Sequence, residues 1–106
     1  MKIVINNCYG GFHLSEKAIE LLIAKGVDKE LVSDYRFGEY RFAECKRDNK
    51  LLVEVVEELG KEANDSSYSS LSVVEIPDEA TDWVINEYDG SEDIIYVLDG
   101  KIKYAY

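Results

Sequence analysis

Hydrophobic and polar positions repeat at two different periods along the chain, and the changes of period mark its elements. Residues 2–8 open as a short β-branched run in which Ile3 and Ile5 share one face and Val4 takes the other, which predicts a strand. Apolar positions Ala18, Ile19, Leu22 and Ile23, with Leu21 broadening the stripe, then follow a helical period. Ser15 suits the N-cap of that helix, Glu16 places an anion in its first turn, and Lys25-Gly26 supplies a basic last turn and a glycine stop. Residues 28–33 are read as one more short helical turn. YRFGEYRF at 35–42 has strand propensity, with Gly38-Glu39 as a bend. Leu52, Val55, Val56, Leu59 and Ala63 form the clearest amphipathic helix, capped by Asp48 or Asn49 and carrying Glu54, Glu57, Glu58 and Lys61 on its other side. Gly60 costs about 1 kcal/mol within such a helix, so it is read as the mark of a close contact.

The last third changes to a period of two. A polar loop, 64–70, leads into a strand at 71–76 that Pro77-Asp78 stops. Residues 83–88 and 93–97 alternate around Asp89-Gly90, a strong signal for a two-residue hairpin turn, and a second Asp-Gly at 99–100 precedes an extended run to Tyr106. The pattern predicts an α+β fold: a mainly antiparallel sheet, made of the N-terminal strand and a C-terminal meander, with two helices packed on one face. A two-residue turn at Asp89-Gly90 sets Glu87 opposite Glu92. Like charges so placed repel, so either that face is fully solvated or something positive sits on it.

Length and charge narrow the picture. At 106 residues one domain is the expectation, 1–106. No apolar run approaches the roughly 20 residues that span a bilayer. The opening MKIVINN holds too few apolar residues for a signal-peptide core. Cys8 and Cys45 are therefore expected as reduced thiols in a cytoplasmic protein. The net charge is −10, and it is unevenly placed: residues 75–100 hold nine Asp/Glu and no Lys or Arg. Such a segment repels nucleic acid, so direct DNA or RNA binding is not expected, and it attracts basic surfaces.

The opening MKIVINNCYGGFHLSEKA resembles a family of small uncharacterised phage and prophage proteins that begin K-(V/I)-V-I-N-x-C-(Y/F)-G-G-F-x-L-S-x-x-A. The resemblance continues at 47–64 and 71–92, about three-fifths of the chain in all. The chain departs from it at His13, often Gly in the family, and near Asn49-Lys50, where the family often has Asp-Pro. The resemblance implies a setting, the cytoplasm of a host cell and an accessory role against host machinery or defence. It implies no chemistry.

Candidate chemistry is sparse. Tyr9, Gly10, Gly11 and Phe12 lie between a strand and a helix start, where backbone amides can hold an anion and the two aromatics can stack a ring. Ser15 at the helix start and Arg36 and Arg41, interleaved with aromatics, complete a candidate site for a nucleotide-like or phosphorylated ligand. Neither GxxxxGK[ST] nor GxGxxG is present. The same loop also reads simply as a turn. Cys8 and His13 lack an evident third group for nucleophilic catalysis, and two Cys with one His fall short of a zinc site. No catalytic residue, metal or cofactor is assigned. The second candidate is an acidic partner surface at Glu87, Asp89, Glu92 and Asp93.

Three functions stay open. The leading expectation is a non-enzymatic binding protein that counteracts a host system by sequestering a nucleotide-like ligand. The alternative is an acidic inhibitor that occludes a basic, nucleic-acid-binding host protein. An enzyme acting on a phosphorylated metabolite ranks last. The tyrosine-rich edge carrying Tyr96, Tyr104 and Tyr106 raises the expectation of a homodimer or higher oligomer.

Overall fold

A computed structural model describes residues 1–9, 12–27, 47–64 and 69–106. The expectations for 28–33 and for YRFGEYRF at 35–42 fall outside these residues, as do Gly10, Gly11, Arg36, Arg41 and Cys45. Among the described residues the order is β1 (Lys2–Asn6), α1 (Glu16–Ala24), α2 (Lys50–Leu59) with a 3-10 turn (Gly60–Ala63), β2 (Leu71–Glu75), β3 (Asp82–Tyr88), β4 (Ser91–Leu98) and β5 (Lys101–Ala105). The fold is α+β.

The strands divide between two antiparallel sheets instead of sharing one. β1 pairs with β2, Val4 opposite Val73, while β3, β4 and β5 form a meander of their own. β1 explains the division. Its apolar residues point both ways, so it needs cover on both faces. Val4 joins Ala18, Leu22, Leu52, Val55 and Val56 beneath the helices. Ile3 and Ile5 join Ile76 and Ile94, with Trp83 and Tyr96 packed alongside. The result is three layers: helices, the β1–β2 ribbon, and the meander. Ile3, Val4 and Ile5 are all fully buried.

Local chemistry sets the boundaries. Ser15 caps α1 by accepting from the Ala18 amide at 3.1 Å. Its own hydroxyl donates to the Glu62 carbonyl, and its amide to the Ala63 carbonyl at 2.9 Å, so the start of α1 is tied to the end of α2. Asn49 caps α2, its Oδ1 accepting from the Leu51 and Leu52 amides. Gly60 ends α2 with φ of +57°, and a Cβ there would meet nothing within 4 Å. The expected close contact is therefore absent: glycine serves the left-handed conformation of a helix stop. Asp89-Gly90 and Asp99-Gly100 all have positive φ, as two-residue type I′ turns require.

Lys25 bridges the helices, donating to Glu54 at 2.9 Å and lying 3.5 Å from Glu58. The hydrogen bond from Lys25 to Glu54 leads the causes that raise its pKa above the ordinary lysine value. A raised lysine pKa favours the fold below the unfolded value and loses that effect as pH climbs through the folded value. The contact is therefore intact at neutral pH.

The helix layer carries the packing. Leu52→Ala, at a fully buried position, is expected to lower unfolding stability by about 2–5 kcal/mol. Ile23→Ala, at a position 39% exposed, should change it by about 0.5 kcal/mol or less. Urea denaturation of both variants measures the contrast.

Candidate functional site

The described residues of NNCYGGFHLS, on either side of 10–11, are held in place, and mostly by polar groups. Asn6 is fully buried at the end of β1. Its Nδ2 donates to the Cys8 and Gly90 carbonyls, both at 2.7 Å, and its Oδ1 accepts from the Ser70 amide at 2.8 Å. The Cys8 thiol lies 3.5 Å from that same oxygen as a donor. One buried amide thus links the chain after β1 to the tip of the β3–β4 hairpin.

A second buried group lies beside it. Arg47, just before α2, and Glu92, at the start of β4, have fully buried side chains. Arg47 Nη1 donates to Glu92 Oε1 at 2.7 Å and Nη2 to Oε2 at 2.9 Å, a two-point fork. Glu92 Oε1 also accepts from the Asn6 amide at 2.7 Å, and Nη1 lies 3.3 Å from the Val4 carbonyl. The guanidinium carbon sits 3.7 Å from the centroid of the Phe12 ring. The Val4 amide in turn donates to the Arg47 carbonyl at 2.9 Å.

These contacts change both candidate sites. In the proposed ligand loop, Phe12 has one ring face covered by Arg47, and Ser15 is committed to capping α1. Cys8 faces Asn6, while His13 is exposed. Gly10, Gly11, Arg36 and Arg41 lie outside the described residues. Tyr9 alone of the described members stays open, 74% exposed.

In the acidic surface, the register sets Glu87 opposite Glu92, as the turn predicted. Glu92, however, is no surface residue. The alternation that buries Ile85 and Ile94 turns it inward as well, and Arg47 is the positive group that sits on it. Glu87 remains exposed and accepts from the Gly90 amide, closing the turn. Asp89 is exposed at the tip, and Asp93 is half-buried, its Oδ1 accepting from Asn86 Nδ2 at 2.8 Å.

The two candidates meet. A pocket of about 410 Å³ is lined by Asn7, Tyr9, Tyr88, Ser91, Glu92, Asp93 and Tyr106. Asn6 brings Tyr9 there by fastening the loop to Gly90. Tyr88 and Ser91 are a cross-strand pair, so both share the outer face with Asn86 and Asp93. β5 pairs Ala105 with Ile94, so continuing the register by one residue sets Tyr106 beside Asp93. A larger groove of about 650 Å³ runs between the edges of β2 and β5. Its walls are strand edges that also carry Glu75, Tyr104 and Tyr106, but Lys103 lies among them, whereas no Lys or Arg lines the tip pocket.

Among the described residues no group of three or more His, Cys, Asp or Glu is placed to hold a metal ion, and no helix is long and apolar enough to cross a membrane. No protein-family model matches the chain, and no curated protein or solved structure does.

Sequence reasoning missed Asn6 and Arg47. Asn6 was a polar residue in a β-like run, a weak sign that its amide has inward partners. Arg47 had no signal beyond the inward carboxylate that needed a cation.

Removing one member of the buried pair leaves the other charged and unpaired. Arg47→Met is expected to destabilise by about 3–5 kcal/mol, and adding Glu92→Leu to it should restore much of the loss. Glu87→Gln should shift stability by about 0.5 kcal/mol or less, because Glu87 is exposed. Chemical denaturation of the three variants separates the buried from the exposed carboxylate.

Proposed function

We propose that the protein is a non-enzymatic binding protein whose acidic hairpin tip engages a basic protein partner. The observation that carries this reading is the pocket in which exposed tyrosines from separate parts of the chain surround Asp93, at the same hairpin end as Glu87 and Asp89. Aromatic faces and carboxylates together suit a cation. The net charge of −10 and the absence of Lys and Arg from 75–100 steer positive surfaces toward it and phosphates away. If the resemblance of the opening to phage proteins holds, the partner belongs to the host, and a nucleic-acid-binding protein presents the right charge.

Sequestration of a nucleotide-like ligand by the 9–12 loop is the second reading. It retains Tyr9 as a stacking surface, but Phe12 and Ser15 are occupied by the fold. The two readings part on a simple measurement. Denaturing the purified protein and finding a released nucleotide by mass spectrometry would favour sequestration.

Glu87→Gln/Asp89→Asn neutralises the tip while preserving the turn, since Asn-Gly is itself a favoured type I′ pair. Immobilised wild-type protein should retain basic proteins from a bacterial host extract and release them with salt. The double variant should retain them several-fold less. Equal retention by both proteins, or retention without a bias toward basic proteins, would refute the acidic-tip reading.

A further inference from the structure

Tyr9, Tyr88 and Tyr106 are 74%, 73% and 86% exposed, and all three line the pocket at the hairpin tip. Large aromatics left open around one carboxylate need a reason. The carboxylates in the wall differ in what they can still do. Glu92 is fully buried and forked to Arg47. Asp93 accepts from Asn86 at 2.8 Å, and a carboxylate has about four lone-pair sites. Asp93 thus keeps acceptor capacity on the tyrosine side of the sheet.

Resting on the acidic-tip reading, we propose that this pocket is a cage for an arginine side chain of the basic partner. The guanidinium lies against the tyrosine rings and donates to Asp93. Charge selects a cation: the hairpin tip, 86–93, carries Glu87, Asp89 and Asp93 besides the Arg47-paired Glu92, and no base. Shape selects arginine over lysine. A guanidinium is flat, sheds water more readily than an ammonium, and stacks on aromatic faces while donating in its own plane. The chain uses the same combination internally, where Arg47 lies on Phe12 and forks to Glu92. In the core the guanidinium comes from the chain itself; at the tip it comes from the partner. The pocket's roughly 410 Å³ falls within the range of small-ligand sites.

The test titrates the full chain with a short arginine-rich peptide and with the lysine-rich peptide of equal length and charge, following tyrosine ring resonances by NMR. The arginine peptide is expected to bind several-fold tighter. Tyr88→Ala and Tyr106→Ala should each weaken it by about 3- to 10-fold, with unfolding midpoints unchanged because both side chains are exposed. Tyr88→Phe should bind as wild type. Tyr104→Ala serves as the control: Tyr104 is 62% exposed but lies outside the pocket, so its loss should leave binding unchanged. Equal affinity for the two peptides, or full binding by the Tyr88 and Tyr106 variants, overturns the cage. If binding survives Tyr88→Ala but falls in Glu87→Gln/Asp89→Asn, the acidic tip stands without the cage. If both variants bind fully, both readings fall. Binding of tetramethylammonium in place of the arginine peptide, with the same sensitivity to Tyr88→Ala, reassigns the pocket to a free quaternary cation and overturns the proposal. Self-association without peptide that Tyr88→Ala abolishes reassigns it to a second copy and overturns the proposal too.

Discussion

The Arg47–Glu92 pair is the constraint on which the rest of the structure depends. Taking two opposite charges out of water costs several kcal/mol per ion, and their attraction repays this only when the geometry is good and spare donors and acceptors are satisfied. Both conditions are met. The fork is two-point, Glu92 takes the Asn6 amide, and Arg47 lies on Phe12 and within reach of the Val4 carbonyl. The partners come from different layers: Arg47 precedes α2, Val4 and Asn6 belong to β1, and Glu92 opens β4. The pair therefore fixes how the helices, the ribbon and the meander meet. A shift of β4 by one residue would turn Glu92 to solvent and leave Arg47 buried alone, so the pair specifies register as much as it stabilises.

Asn6 extends the same constraint to the surface. Its amide group uses both donors and its acceptor oxygen within a few residues of the fork. A buried amide satisfied in this way holds one geometry, because each alternative strands a polar group. The consequence is that the loop after β1 leaves the sheet at the hairpin tip. Tyr9 thus comes to line one pocket with Tyr88, Asp93 and Tyr106 because an interior network fastens the loop there. The tip pocket follows from the core.

Legibility in the sequence followed the range of the interactions. Ser15 and Asn49 as caps, the two Asp-Gly turns, the α2 stripe and the register of Glu87 with Glu92 are local, and local chemistry predicts them. The two-sheet arrangement was less visible. β1 read as a strand with one residue on its second face, and nothing local says that this face needs a separate layer. Glu92 was half legible: the turn put it on a repelling face, and the need for a positive group was apparent. The identity of that group was not, because Arg47 lies 45 residues away in sequence. The same limit split one pocket into two candidates. Tyr9 and Asp93 belong to distant segments, and among the described residues Asn6 ties them together.

The chain thus sorts its charges by use. The inward carboxylate has its cation within the chain and fixes the fold. Glu87, Asp89 and Asp93 share one end of the meander, in a segment with no Lys or Arg between 75 and 100. Like charges gathered this way repel one another and work against the compact state. A protein optimised for stability alone would intersperse them with lysines; on the proposed function, a positive partner supplies that charge instead. A cation bound there relieves the repulsion, and anything that binds only the folded chain stabilises it by mass action. On that proposal, the feature that weakens the free protein would be the one that makes the bound state more stable.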